Sequence, residues 1–358
     1  MRKIDKLYEF IDKKWFVSDL KENRIGHIKI ALIREVINPL IIRSTDMEAT
    51  IILVTDNGRE IVEIPPRKLK SREKLLGLML CRGFGMVNEN VRYNSILDSQ
   101  HLNNPNSILF GDSVTQSQDA AALPSRAIYD WAYSLRDVKD ITYKLQHNAM
   151  SEDGTILKDK DSNPKQDDGT KVASQALYQT EYILPGTFFP HFITVDNITP
   201  ELFVHLLSCV LNQRRYGAQT TTNANNMINH LVAIGFADFE KPINSYTISK
   251  AWNGRTQKDS PTLDTVKTFI NTQMTTYYTD EGLVKNLVEL VTWLDGLWKE
   301  NDKPSLEKIY TCAQESVDEY LKKIKMVKES AGDKKSKGTK KGKETKSEAG
   351  NENTTPES

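Results

Sequence analysis

Between positions 181 and 225 the chain sets out a strand, a helix and a polar turn in direct succession. No other stretch restricts the fold as tightly. Residues 182–196 are aromatic and β-branched, which predicts a strand interrupted at Leu184-Pro185-Gly186-Thr187. Thr199 is a good helix N-cap and Pro200 suits the first helical position. Leu202, Phe203, Leu206, Leu207, Val210 and Leu211 then recur at helical spacing and give that helix one apolar face. It runs out into Gln213-Arg214-Arg215-Tyr216-Gly217-Ala218-Gln219-Thr220-Thr221-Thr222-Asn223. Two fixed cations, a ring, a glycine and a run of hydroxyls and amides suit a phosphodiester backbone better than a small apolar substrate.

The rest of the chain bounds the class. At 358 residues, 38% apolar and 27% charged, it has the composition of a globular protein with one large core or two modest ones. No apolar run approaches the roughly 18 residues that cross a bilayer, and Met1-Arg2-Lys3-Ile4-Asp5 lacks a signal-peptide core. Cys81, Cys209 and Cys312 are widely spaced, without a Cys-x-x-Cys, and support neither a disulfide framework nor structural zinc. The expectation is a cytoplasmic protein with no membrane, metal or cofactor. Lys and Arg total 48 against 48 Asp and Glu, so indiscriminate duplex binding is disfavoured and any basic groove must be local.

Along the chain, residues 26–42 read as one long strand or two. Residues 49–55 and 60–64 flank the hairpin signal Asp56-Asn57-Gly58-Arg59, and Pro65-Pro66 ends that strand. A basic turn, Arg67-Lys68-Leu69-Lys70, leads to a helix near 71–82. Two polar excursions follow, at 88–125 and 145–178. A further strand is expected near 245–252, and a helical section over 259–329. Its two apolar faces run through Leu287, Leu290, Val291, Leu294 and Leu297, then Leu306, Ile309, Val317, Leu321 and Ile324. Residues 330–358 form a Lys-rich tail without apolar periodicity, expected to be disordered, either solubilising or grazing nucleic acid. The order of elements fits an α+β fold with a ferredoxin-like β-α-β-β-α-β core carrying insertions.

Several motif likenesses fail on their chemistry. Arg82-Gly83-Phe84-Gly85-Met86-Val87 imitates an RNA-recognition strand but lacks the stacking aromatics, with Met86 and Glu89 in their places, and reads better as a glycine-rich helix exit. Asp159-Lys160-Asp161-Ser162-Asn163-Pro164 opens like a calcium loop but has Pro164 for the glycine and Thr170 for the final Glu. What survives is basic. Arg67, Lys68, Lys70 and Arg72 gather at a helix start, where free N–H groups already favour anions. Arg214 and Arg215 stand at a helix end, where they serve either the helix dipole or a ligand.

Taken together, Leu184-Pro185-Gly186-Thr187-Phe188-Phe189, Ile193-Thr194-Val195-Asp196-Asn197 and Arg214-Arg215-Tyr216-Gly217-Ala218 resemble the backbone subunits of CRISPR surveillance complexes. These are the CRISPR-associated family-seven proteins, and the likeness is strongest to the type I-D member. Gly111-Asp112-Ser113-Val114, Ser125-Arg126-Ala127 and Ile64-Pro65-Pro66-Arg67-Lys68-Leu69-Lys70 are similar as well. The resemblance covers roughly residues 25–255. It implies an RNA-recognition-like core over 1–258, with 88–125 as a lid or helical insertion and 145–178 as a thumb. It further implies copies stacked along a CRISPR RNA, whose guide bases pair with target DNA or RNA. Arg43, Arg67, Lys68, Lys70, Arg214, Arg215, Tyr216, Gly217 and Gln219 would then line the RNA groove. The implied partners are other copies, the large, small and guide-end-capping subunits and a guide-processing endonuclease. Related type III backbones cleave paired target with an acidic residue in the loop after the first strand. Asp46 in Arg43-Ser44-Thr45-Asp46-Met47-Glu48 is the similar position, where a carboxylate would hold a divalent metal or orient the attacking group. The alternatives to a non-catalytic backbone are this nuclease and a stand-alone RNA-binding protein.

Overall fold

The computed structural model describes residues 3–43, 50–55, 58–87, 91–93, 99–114, 121–148, 177–253, 261–299 and 302–324. In chain order the elements begin with α1 (Leu7–Phe10), β1 (His27–Val36), β2 (Ile52–Val54), β3 (Glu60–Ile64) and α2 (Pro66–Gly83). Next come α3 (Pro105–Phe110), β4 (Asp112–Val114), β5 (Ala121–Leu123), β6 (Ala127–Tyr129), β7 (Ala132–Asp137) and α4 (Val138–Ile141). The hairpin strands β8 (Thr142–Asn148) and β9 (Leu177–Ile183) precede β10 (Phe188–Asp196), α5 (Pro200–Asn212) and β11 (Met227–Ala237). The chain closes with α6 (Ser245–Ala251), α7 (Leu263–Tyr277), α8 (Leu287–Leu297) and α9 (Lys303–Lys323).

A mixed α+β architecture results. Its central sheet is antiparallel in the order β11-β1-β10-β6, with β1 in the middle paired along its length to both neighbours. The β1 sequence Ile28-Lys29-Ile30-Ala31-Leu32-Ile33 is apolar on both sides of the pleat, so the strand needs cover on both faces. One face meets α2 and α5: Ile28, Ile30 and Leu32 share a core with Leu69, Leu202, Phe203 and Leu206, which α8 and α9 extend. On the other, Ala31, Ile33, Phe192 and Val232 pack under Ile248 of α6 and Val266, Ile270 and Met274 of α7. Neither face lies open to stack bases.

The structure bears out the hairpin, where Val54 pairs with Glu60, and the capped helix α5, where the Thr199 hydroxyl accepts from Leu202 N. Three expectations are corrected. Residues 245–251 are helical rather than a strand, because Asn244 and Thr247 close a reciprocal capping box; the strand that completes the sheet is β11. The helix α2 starts at Pro66, so Arg67, Lys68 and Lys70 lie within its first two turns instead of a preceding turn. Finally, the turn-rich Asn103-Asn104-Pro105-Asn106 is a helix start: Asn104 caps α3, and Ile108, Leu109 and Phe110 enter the main core. The 149–176 part of the second excursion, the 330–358 tail and the calcium-like loop lie outside the described residues.

Candidate nucleic-acid interface

Pro65 and Pro66 give α2 an abrupt start, and no acidic residue of its own first turn offsets the positive end of the helix dipole. Arg67 is exposed and Lys68 half-buried. Burial, then the Arg67 and Arg72 cations, lower the Lys68 ammonium below its usual range. Like charges crowded here leave an energetic opening for an anion. Lys70 behaves otherwise. Its ammonium turns inward to the Ser125 hydroxyl at 2.6 Å and the Ala127 carbonyl at 3.1 Å, and burial lowers its pKa to about 8. It anchors the segment before β6 rather than offering a free surface cation.

The loop after α5 is tied to α2 and to the segment after β1. Arg72 Nη2 donates to Gly217 O at 2.8 Å, Gln213 Nε2 to Arg72 O at 2.9 Å, and Ala218 N to Ile41 O at 2.9 Å. Gly217 sits at φ +70°, and a Cβ there would fall 2.1 Å from Ile41 O, so the approach requires glycine. Arg214 spends its guanidinium on the Leu211 and Gln213 carbonyls at the end of α5, the helix-capping option of the two open in the sequence. Arg215 and Gln219 are exposed. Gln219 adopts φ +52°, its carbonyl accepting from Thr222 N at 3.1 Å and Asn223 N at 2.9 Å. Two residues beyond Ile41, Arg43 Nη2 donates to Thr180 Oγ1 at 3.4 Å on the β8–β9 hairpin.

Tyr216 joins Lys70 and Arg214 as an expected RNA contact that turns inward. It is fully buried, and its hydroxyl lies 2.6 Å from Glu73 Oε1, 2.7 Å from Asn229 Nδ2 and 3.2 Å from Arg34 Nη1. Arg34 donates to Glu73 Oε1 at 2.6 Å and Asn229 Oδ1 at 3.0 Å, while Tyr129 donates to Glu73 Oε2 at 2.5 Å. His191 completes the cluster: its Nδ1 lies 3.2 Å from Arg34 Nη2 and its Nε2 lies 3.0 Å from Asp130 O. Since Arg34 only donates and the carbonyl only accepts, His191 is the Nε2–H tautomer. Burial and the Arg34 charge push its pKa well down, so it stays neutral. Burial alone would lower Arg34, but Glu73 reverses this and keeps it charged. Burial and Glu73 push the Tyr129 and Tyr216 phenols well up. This network nails the 213–219 loop to the sheet and to α2. No sequence motif marks it; the available signal was an arginine in the middle of an apolar strand.

The structure therefore brings Arg67, Lys68, Arg72, Arg215, Gln219 and the 41–43 segment into one region, and withdraws Lys70, Arg214 and Tyr216 into supporting roles. Asp46 lies outside the described residues. Cys81 and Cys209, remote in sequence, both flank buried His205, with Sγ atoms 4.0 and 3.8 Å from its Nε2. Among the described residues no group of three or more His, Cys, Asp or Glu is placed to hold a metal ion, and no helix is long and apolar enough to cross a membrane.

Comparison with known proteins fits this arrangement. A family model described as Csc2 Crispr matches residues 21–304. Csc2 of Thermofilum pendens, in its crystal structure, has a similar fold: TM-score 0.56 at 14% identity, covering 87% of this chain and 95% of that one. A chain of a CRISPR RNA-guided surveillance complex in a pre-nicking state is similar at TM-score 0.45 and 12% identity, covering 70% and 86%. A chain of another such complex gives 0.41 and 12%, covering 69% and 83%. No curated protein matches. The family match, over most of the chain, makes this a CRISPR RNA-binding backbone subunit of a surveillance complex. More particularly, the chain belongs to the Csc2 family, the type I-D branch of these backbones.

Proposed function

We propose that the chain grips CRISPR RNA by its phosphates, without reading sequence, as the repeated non-catalytic backbone of a type I-D interference complex. Arg67 and Lys68, at the start of α2, meet one stretch of phosphates; Arg215, Gln219 and Arg43 meet the next. One observation carries this reading. Three segments distant in sequence are locked together by the Arg72–Gly217 and Ala218–Ile41 bonds, concentrating cations on a chain of zero net charge.

The finer architecture follows from the same reading. The order β11-β1-β10-β6 with α2 and α5 on one face supports an RNA-recognition-like β-α-β-β-α-β core within 1–258. The β8–β9 hairpin is the stalk of the thumb, 88–125 the lid region, 259–329 a helical section packed on the core, and 330–358 a tail. Copies stack along the guide, which pairs with target DNA or RNA, beside large, small and guide-end-capping subunits and a guide-processing endonuclease. The test is nuclease footprinting of a guide-length RNA with native mass of the same sample. Regular protection with mass rising by whole protomers is expected; a single short footprint with one protomer bound would overturn the reading.

A further inference from the structure

The strand β11 ends one side of the central sheet, and part of its outer edge is open. Pro190 has no N–H to give its β1 neighbour Ile33, and Ile37 N donates to Asn226 O at 3.0 Å. Ile33, Glu35 and Ile37 therefore turn their backbone groups to β11. Their partners Ile228 and His230 face inward, which leaves Met227, Asn229 and Leu231 facing outward. Met227 N donates to Arg214 O at 3.3 Å, and beyond the bulge Ile234 O accepts from Val284 N at 3.0 Å. Between these two covers, the N–H and C=O of Asn229 and Leu231 have no partner among the described residues. Both residues line a groove of about 320 Å³, walled by Leu211, Leu287, Val288 and Val291. Val288 is 81% exposed there.

A second open edge lies at β2, the end strand of the small sheet β2-β3-β7. Thr55 N donates to Arg59 O at 2.8 Å and Glu63 N to Ile51 O at 3.0 Å, so Ile51, Leu53 and Thr55 face β3. Ile52 and Val54 turn their N–H and C=O outward, unpaired among the described residues, with side chains 40% and 63% exposed. Such an edge is a template for another strand. The two edges match. Each offers two residues at the alternate spacing that a ladder needs. The side chains of Ile52 and Val54 suit apolar walls. Glu60, exposed and opposite Val54, suits walls on which Arg214 and Lys267 outnumber Asp295. Within one chain the edges belong to separate sheets, so they are left to meet between copies.

We propose that β2 of one copy pairs with the Asn229–Leu231 edge of the next, its apolar side chains seated in the groove beside α8. The contact joins two different surfaces, so it repeats head to tail instead of closing a dimer. An RNA strand has a direction, and a head-to-tail contact can follow it. The assignment rests on the reading of copies stacked along a guide and supplies the joint of that stack. So short a ladder falls far below the roughly 1,200 Å² of a free-standing interface. It acts between copies already side by side on one strand.

The test compares the full-length protein on two RNAs, one with room for a single copy and one of guide length. Val54→Pro removes one outward N–H and keeps the bonds to β3, which Leu53 and Thr55 make. Val288→Glu brings a charge into the groove from an already exposed position. Each is expected to leave the melting temperature and the short-RNA affinity unchanged, and to weaken guide-length binding about tenfold or more. An equal mixture of the two variants is expected to favour pairs over longer runs in native mass spectra, because one joint survives, between an intact groove and an intact β2. Should Val54→Pro unfold, Val54→Glu takes its place with the N–H kept. Variants that bind guide-length RNA as tightly as the wild type would overturn the joint and leave the phosphate reading standing. Weaker short-RNA binding at an unchanged melting temperature would make this surface an RNA contact and overturn it too. A wild type whose affinity ignores RNA length would remove both the stack and its joint.

Discussion

Glu73 occupies the hub of the interior, and its loss exposes the logic of the site. It is fully buried with Arg34. Replacing it with Gln leaves an uncompensated buried guanidinium, at about 3–5 kcal/mol. Glu73→Gln is expected to lower the urea midpoint and to weaken RNA binding by loosening the 213–219 loop. Unchanged stability would contradict the network. Asp130 gives a pH signature. Burial raises its carboxyl from the ordinary 3.8 to about 6, with Lys29 opposing and Glu240 assisting. Between those values the folded chain binds more protons than the unfolded one, so this group's contribution to stability is lost as pH rises through the window. Asp130→Asn is therefore expected to stabilise at pH 7, with the gain gone below about pH 4. Urea unfolding at both values checks it. Gly217→Ala is expected to be destabilising and to impair RNA binding, through both its φ and the 2.1 Å approach to Ile41 O; circular-dichroism melts and anisotropy together read the two effects.

At the scale of the element, α2 does two things along one length. Its first turn points cations outward, while Lys70, Glu73 and Lys74 further on bind the rest of the chain. The double change Arg67→Ala with Lys68→Ala is expected to keep the melting temperature and to reduce the salt slope by about 0.7 per lost phosphate contact. An unaltered slope would remove these residues from the interface. The limits of sequence reading also show here. Thr199-Pro200 announced α5 because a cap and a first-turn proline act locally. Asn244 is equally local, and its capping box with Thr247 makes 245–251 a helix where a strand is expected. Pro65-Pro66 both ends a strand and opens α2, since a proline that cannot pair in a sheet suits a first helical turn.

For the whole molecule, the covered sheet decides how RNA is held. With α6 and α7 on one face and α2 and α5 on the other, the proposed contacts come from the rim, where each copy supplies a few cations. Such contacts are weak singly and strong when repeated along one strand. Native mass spectra on longer guides should therefore show occupancy growing in steps of 40.7 kDa, with apparent affinity rising with guide length. Length-independent affinity would argue against a stacked backbone. The sequence by itself determined the α+β class, the hairpin, α5 and the basic residues at both helix ends, because caps, turns and periodicity are properties of neighbouring residues. Only the tertiary structure decided that Arg215 faces solvent while Tyr216, one residue on, is sealed against Glu73, and that Gly217 rests on Ile41. Those outcomes depend on which distant backbone comes close and on satisfying each buried charge, and no local pattern encodes either.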